Sequence, residues 1–180
     1  MNELMASVRA VLATTPTRWL SLTESIPAEL LGRRPAPGEW SALECLGHLV
    51  DTEEAAFPRR VEAFLAGRDF PGFDPDAAGS EPVGGEDPTE LASRFALLRA
   101  ASLEALEAIA PADLVRRARH AELGPVTLEE MLHEWAGHDL MHTVQAERAI
   151  MQPFIGGSGP WRGYFTDHDV DASRDAGTMR

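Results

Sequence analysis

Helix-start signals divide this 180-residue chain into four long helical stretches. Ser41 with Glu44, and Thr127 with Glu130, have the spacing of a capping box, and Asp87 stands as an N-cap before a proline. No segment has a convincing strand pattern, so the sequence predicts an all-α fold. The predicted helices run from Asn2 to Ile26 with a restart at Thr15-Pro16, from Ser41 to Ala66, from Asp87 to Ala110, and from Thr127 to about Met151.

The lengths of these helices and of their connections favour a four-helix bundle. Helices of this size are about 33–39 Å long, which is the dimension of a bundle. The segment 67–87, 21 residues rich in Gly, Pro and Asp, is longer than antiparallel neighbours need. We therefore expect it to cross one end of the bundle, so that the third helix runs parallel to the second.

Residues 1–168 are predicted to form a single domain of this kind, and residues 169–180 a loose C-terminal tail. The turn-rich segment after Gln152 carries three aromatic residues. We expect them to dock on the bundle: Trp161, Tyr164 and Phe165.

Charge and composition exclude several classes of partner. The formal net charge is −13, which repels phosphate backbones, so nucleic acid is not expected to bind. No run of 18 apolar residues occurs, so no membrane association is expected. The single cysteine, Cys45, fits a reducing compartment, and the start of the chain lacks the pattern of a signal peptide. Together these features predict a cytoplasmic protein.

Three histidines have the spacing of an open metal site. His138 and His142 are four residues apart, so they lie one turn apart on one helix face, together with the inward-facing Trp135. His48, at the edge of the second helix, can supply a third imidazole. Three protein ligands leave one position for water or substrate, which is the pattern of a catalytic zinc site. The alternative is a metal-free bundle whose histidines satisfy one another by hydrogen bonds.

Other side chains near these histidines are candidates for further roles. Asp139 and Glu53 are candidate proton acceptors. Cys45 is one turn from His48 and would close the site as a fourth ligand, although a small core side chain is the favoured interpretation. His133 falls on the outer flank of the fourth helix and serves as a solvated comparison.

Three segments in this order resemble the DinB/YfiT-like superfamily: Pro35–Glu53, which leads to His48; His133–Ile150, which carries the paired histidines; and Gly159–Phe165. The likeness extends from Thr15 to about His168. It implies a four-helix bundle with an up-down-down-up course. It also implies that His48, His138 and His142 hold a divalent metal, zinc or nickel in most cases, with iron as a further candidate.

The same resemblance implies a class of reaction. Members of the family include transferases that use a low-molecular-weight thiol such as bacillithiol or mycothiol. We therefore expect a metal-dependent enzyme that activates such a thiol for attack on a small electrophile, with Arg148 and Arg162 as candidates to bind a carboxylate of the thiol. The alternatives are a hydrolase that uses metal-activated water, and a non-catalytic, stress-associated metal-binding dimer. The expected partners are a small-molecule substrate and, as dimers are frequent in the family, a second copy of the chain.

Overall fold

The computed structural model describes residues 3–73 and 86–171. The remaining residues, which include positions 74–85 of the long connecting segment and positions 172–180 of the predicted tail, lie outside this description. The described helices and strands are α1 (Glu3–Ser25), α2 (Ala28–Leu31), α3 (Ala42–Ala55), α4 (Phe57–Leu65), α5 (Pro88–Leu106), β1 (Arg117–His120), β2 (Gly124–Thr127) and α6 (Leu128–Gly157), with 3₁₀ turns at Pro111–Asp113 and Gly159–Phe165.

Helices α1, α3, α5 and α6 form the bundle, and α1 and α3 each contact both α5 and α6. Arg9 near the start of α1 pairs with Glu107 just beyond α5, so these two helices are antiparallel. Trp19, late in α1, shares a core cluster with Ala146, late in α6, so α1 and α6 are parallel. The predicted four-helix bundle with an up-down-down-up course is confirmed.

The predicted helix starts agree with the observed caps. The Ser41 hydroxyl accepts a hydrogen bond from the Glu44 amide, while the Glu44 carboxylate accepts one from the Ser41 amide. Thr127 and Glu130 form the same reciprocal pair at the start of α6. These caps satisfy amides that have no partner within the helix and fix where the two histidine-bearing helices begin.

Two prolines act differently from the prediction. The second predicted helix is broken at Ala56, because the ring of Pro58 clashes with a carbonyl four residues earlier. In contrast, α1 continues through Pro16 without the expected restart. Pro16 has no amide hydrogen for the carbonyl of Leu12, and this carbonyl instead accepts a hydrogen bond of 3.0 Å from Arg99 on α5. A tertiary contact thus replaces the missing helical bond.

A short antiparallel hairpin, β1–β2, was not predicted from the sequence. Each strand has only four residues, β1 carries two arginines and β2 begins with Gly-Pro, so neither has a clear apolar alternation over a useful length. The hairpin packs beside the chain that leaves α4, where the amide of Phe70 donates a hydrogen bond to the carbonyl of Arg119. This contact brings residues 70–73 to the side of the bundle that carries His48.

The C-terminal segment also differs from expectation. Trp161 and Tyr164 are 64% and 85% exposed, so the prediction that they dock on the bundle was wrong, and Phe165 is half-buried. Asp169 and Val170, in the described part of the predicted loose tail, are buried, and the amide of Val170 donates a hydrogen bond to Gln152. None of the helices in the described part of the chain has the length and apolar character needed to cross a membrane.

Candidate metal centre

The side chains of His48, His138 and His142 converge in the middle of the bundle. One ring nitrogen from each lies within 4.8 Å of those from the other two. His48 comes from α3 and the pair from α6, which runs antiparallel to α3. The Nε2 atoms of His48 and His138 are 3.0 Å apart. Two nitrogens bound tetrahedrally to zinc are about 3.3 Å apart, because the Zn–N distance is about 2.0–2.1 Å. The observed spacing therefore suits a shared metal ion.

Hydrogen bonding fixes the orientation of His142. Its Nδ1 lies 2.9 Å from the side-chain oxygen of Gln145, one turn further along α6. Because an amide oxygen only accepts, Nδ1 carries the proton and donates it. The other ring nitrogen, Nε2, is then unprotonated and available as a ligand.

His48 and His138 are poorly satisfied without a metal. Their Nδ1 atoms are buried and have no hydrogen-bond partner. Within the described residues, the contact between the two Nε2 atoms is therefore the one polar contact that either ring makes. Two neutral imidazoles can form that one bond only if one Nε2 is protonated. A divalent cation between them would bind both Nε2 lone pairs without a proton there, so the two facing Nε2 atoms fit a shared metal better than a hydrogen-bonded pair, although each Nδ1 would still lack a partner.

Burial keeps all three rings neutral. It lowers the pKa of His48 to about 4 and that of His138 to about 3, and the charge of the neighbouring His142 acts in the same direction. Burial also lowers the pKa of His142, although the hydrogen bond to Gln145 opposes this shift. Metal binding requires neutral imidazole, so at neutral pH these ligands need not first lose protons.

Aromatic rings surround the three histidines. Trp40, just before α3, stacks on His142 with ring centres 5.7 Å apart and planes within 17°. Phe57 packs edge-on against His138 at 5.1 Å. These contacts hold the imidazoles and keep part of the site dry, which strengthens electrostatic interactions there.

The two predicted proton acceptors, Asp139 and Glu53, lie close to the site but face Arg99. The guanidinium of Arg99 donates two hydrogen bonds to each carboxylate, at 2.5 and 3.0 Å to Asp139 and 2.9 Å for both bonds to Glu53. All three side chains are buried. This arrangement gives the carboxylates a partner that holds them in the core, and their proposed part in proton transfer stays a prediction.

The two predicted thiol-binding arginines lie elsewhere. Arg162 pairs with Asp169 at 2.7 Å and with Asp171 at 3.3 Å, in a cleft that none of the three histidines lines. Arg148 donates a hydrogen bond to the carbonyl of His168, and it lines a cleft of about 340 Å³ with Trp40 and Gln145. The structure thus brings Arg148, but not Arg162, near a residue that contacts the histidines.

A different arginine, Arg60 on α4, lies on the open side of the metal centre. It lines a cleft of about 180 Å³ together with His48, His138, Phe73 and Glu134. Glu134 is half-exposed, lies 3.7 Å from Arg60, and has its pKa raised by burial. Sequence reasoning did not select Arg60. The sequence feature that could have indicated Arg60 is its position on a short amphipathic helix, next to the residues that face inward.

The remaining sequence predictions near the site have clear outcomes. His133 is exposed, as predicted. Cys45 is buried and does not belong to the group of converging ligands, and burial raises its pKa to about 12, so it stays a thiol. Glu44 and Glu130 act as caps, as predicted.

Comparison with known proteins supports the fold and identifies the family. The chain can be superposed on the solved structure of YfiT from Bacillus subtilis with a TM-score of 0.74 and 17% identity, over 86% of this chain and 89% of that one. YfiT is described as a probable metal-dependent hydrolase with an unusual four-helix bundle topology. No curated protein matches the sequence. The family model of the DinB superfamily matches residues 12–146, a span that includes all three histidines, and the chain therefore belongs to the DinB superfamily.

Proposed function

We propose that this protein is a metal-dependent enzyme that uses His48, His138 and His142 to hold one divalent metal ion. The observation that carries the proposal is the convergence of three neutral imidazoles from two helices beside an open cleft. A divalent metal held by three histidines has a free coordination position and lowers the pKa of a water or thiol bound there. Zinc and nickel suit such a site, and iron is a further candidate.

The favoured reaction is transfer of a low-molecular-weight thiol to a small electrophile. The family resemblance supports a thiol as the nucleophile, and the cleft between α4 and α6 has room for a small molecule next to His48 and His138. Among the described residues Glu134 is the one carboxylate that lines this cleft, so its position allows it to accept a proton from an entering nucleophile. Trp40 stacks on His142 and Phe57 packs edge-on against His138, so these two rings hold two of the proposed ligands in place.

Hydrolysis is the second candidate, because the chain shares its fold with YfiT, which is described as a probable metal-dependent hydrolase. In this reaction water would be the nucleophile and the same cleft would hold the substrate. A non-catalytic, metal-binding dimer does not require a cleft that opens on the metal ligands, so the cleft favours an enzyme.

The test compares the two nucleophiles on one protein. Zinc-loaded and nickel-loaded protein would be assayed with 1-chloro-2,4-dinitrobenzene in the presence of cysteine, glutathione, bacillithiol or mycothiol, and separately with 4-nitrophenyl acetate without thiol. Thiol-dependent turnover that is absent in His48→Ala supports thiol transfer, and thiol-independent ester cleavage with the same dependence on His48 supports hydrolysis. Equal rates in His48→Ala and in the unaltered protein would exclude both reactions from this site. The exposed His133→Ala is the matched control.

A further inference from the structure

Arg60 has unused hydrogen-bonding capacity at the entrance to the metal centre. Its side chain is only 14% exposed, and its guanidinium lies 3.7 Å from the carboxylate of Glu134. Within residues 3–73 and 86–171 that ion pair is its one polar contact, and the guanidinium makes no hydrogen bond. A guanidinium has five N–H donors. The nitrogens of Arg60 are not among the fully enclosed side-chain atoms that lack a partner in the described residues, so they face the open cleft. These donors are therefore free to bind a ligand.

Two aromatic rings hold the guanidinium in place. Its central carbon is 5.5 Å from the ring centre of Phe57 and 5.6 Å from that of Phe70. Contacts of a cation with aromatic faces position the charge without using its N–H groups. Phe57 also contacts His138, so Arg60 is held at a fixed place next to the metal ligands.

The cleft beside Arg60 extends in two directions. On one side it is the space of about 180 Å³ that reaches His48 and His138. On the other side lies a space of about 290 Å³ toward the β1–β2 hairpin, with an apolar lining that includes Phe70, Leu123, Val126 and Met131. Both spaces are lined by Arg60, Phe73 and Glu134. An elongated molecule could thus place its reacting end at the histidines and its apolar part at the hairpin.

The charges around Arg60 select the kind of anion. Glu134 and Glu122 both act electrostatically on its guanidinium, and Glu130 lines the same outer space. These carboxylates oppose a group with several negative charges, such as a phosphate. A single carboxylate matches the planar fork of the guanidinium and can accept two parallel hydrogen bonds from it.

We infer that Arg60 is the substrate-recognition residue of this cleft and that it binds the carboxylate of a small, partly apolar molecule. The inference rests on the proposed function, because the histidine end of the cleft is where the bound molecule would react. It adds a carboxylate-binding residue that lines the cleft together with His48 and His138, and it is separate from the prediction that Arg148 and Arg162 bind a carboxylate of the thiol.

A pair of probe molecules tests this role without any turnover. Zinc-loaded full-length protein would be titrated by calorimetry with 3-phenylpropionate and with its neutral analogue 3-phenylpropanamide. We expect the acid to bind at least about tenfold more tightly, because charge-assisted hydrogen bonds are about twice as strong as neutral ones. Arg60→Gln should abolish this preference and leave binding of the amide unchanged. Arg59→Gln, which alters the exposed neighbouring arginine, should retain it.

The possible outcomes distinguish a carboxylate that binds Arg60 from a carboxylate that binds the metal. If Arg60→Gln keeps the preference for the acid, or if the unaltered protein binds no acid, the inference is overturned. If the preference is lost in His138→Ala and kept in Arg60→Gln, the carboxylate binds the metal, which overturns the role of Arg60 and leaves the metal site intact. If the protein retains no zinc, the proposed function fails, and the same titration of the chain as purified still decides the role of Arg60. Unfolding midpoints of each variant would verify that it is folded.

Discussion

The guanidinium of Arg99 and the carboxylate of Asp139 are joined by two hydrogen bonds, of 2.5 and 3.0 Å, at a buried position next in sequence to His138. The same guanidinium binds Glu53 on α3 and the carbonyl of Leu12 on α1. One side chain of α5 thus connects all four helices of the bundle. The group carries two carboxylates and one guanidinium, so it has a net charge of −1 close to the proposed metal ion.

Replacing Arg99 by Met should destabilise the protein strongly. The change leaves the carboxylates of Glu53 and Asp139 buried without a counter-charge, and it leaves the carbonyl of Leu12 without a donor. Breaking a buried pair by removing one partner costs about 3–5 kcal/mol. Urea unfolding of the metal-free protein would measure this loss.

Arg94→Gln is the matched control for Arg99→Met, because Arg94 also lies on α5 and pairs with Glu54, but at the surface. An exposed ion pair contributes at most about 1 kcal/mol. The triple change Arg99→Met with Glu53→Gln and Asp139→Asn removes all three charges and should recover part of the stability. A loss below about 1 kcal/mol in Arg99→Met would show that the cluster does not hold the helices together.

Loss of His138 should remove the metal. His138→Ala takes away one of three ligands and leaves two imidazoles, so we expect about one equivalent of metal in the unaltered protein and almost none in the variant. Elemental analysis of protein purified without a histidine tag would measure the content. His133→Ala, on the exposed face of the same helix, should retain a full equivalent. Metal retained by His138→Ala would place the ion elsewhere.

The positions of the histidines could be predicted from the sequence because helix periodicity fixes which face is buried. His138 and His142 share the inward face with Trp135, and the structure buries Trp135 and His142 and leaves His138 partly buried at the cleft. His48 had a weaker signal at the edge of its helix, and the family resemblance supplied its role. The capping boxes of α3 and α6 were local patterns and were found at the predicted residues.

The Arg99 cluster could not be found in the same way, because its partners are 40 to 87 residues distant in sequence. Two indirect signals existed. Arg99 shares an inward face of α5 with Phe95, Ser102 and Leu106, which marks a buried arginine that needs counter-charges. Pro16 inside a helix leaves one carbonyl without its amide, which is the carbonyl that Arg99 binds. Neither signal identifies the partner without the fold.

Replacing Gln145 by Leu should weaken metal binding. The side-chain oxygen of Gln145 accepts the Nδ1 proton of His142 and so keeps its other nitrogen free for the metal. Loss of such a partner typically lowers metal affinity tenfold to a hundredfold, as a rough range. Competition with a chromogenic chelator would give the zinc affinity of each protein.

Gln145→Glu provides the comparison, because a carboxylate still accepts the Nδ1 proton of His142. This variant should bind zinc at least as tightly as the unaltered protein. Equal affinity in Gln145→Leu and Gln145→Glu would mean that the hydrogen bond to His142 does not set the tautomer of the ligand.

Stability of the metal-free protein should fall as the pH is lowered below about 6.5. In the folded state burial lowers the pKa of His48 to about 4 and that of His138 to about 3, whereas in the unfolded chain a histidine has a pKa of about 6.5. Between these values the unfolded chain binds more protons, so protonation favours unfolding, and the loss is complete only below the folded pKa values. Each such histidine contributes a slope of up to about 1.4 kcal/mol per pH unit.

Urea unfolding between about pH 7 and pH 5 should therefore show a steeper loss of stability in the unaltered protein than in His138→Leu, which cannot titrate at that position. His133→Leu should keep the full slope, because His133 is exposed and its charge costs the folded state no burial. If His138→Leu has the slope of the unaltered protein, His138 is not held neutral by its surroundings.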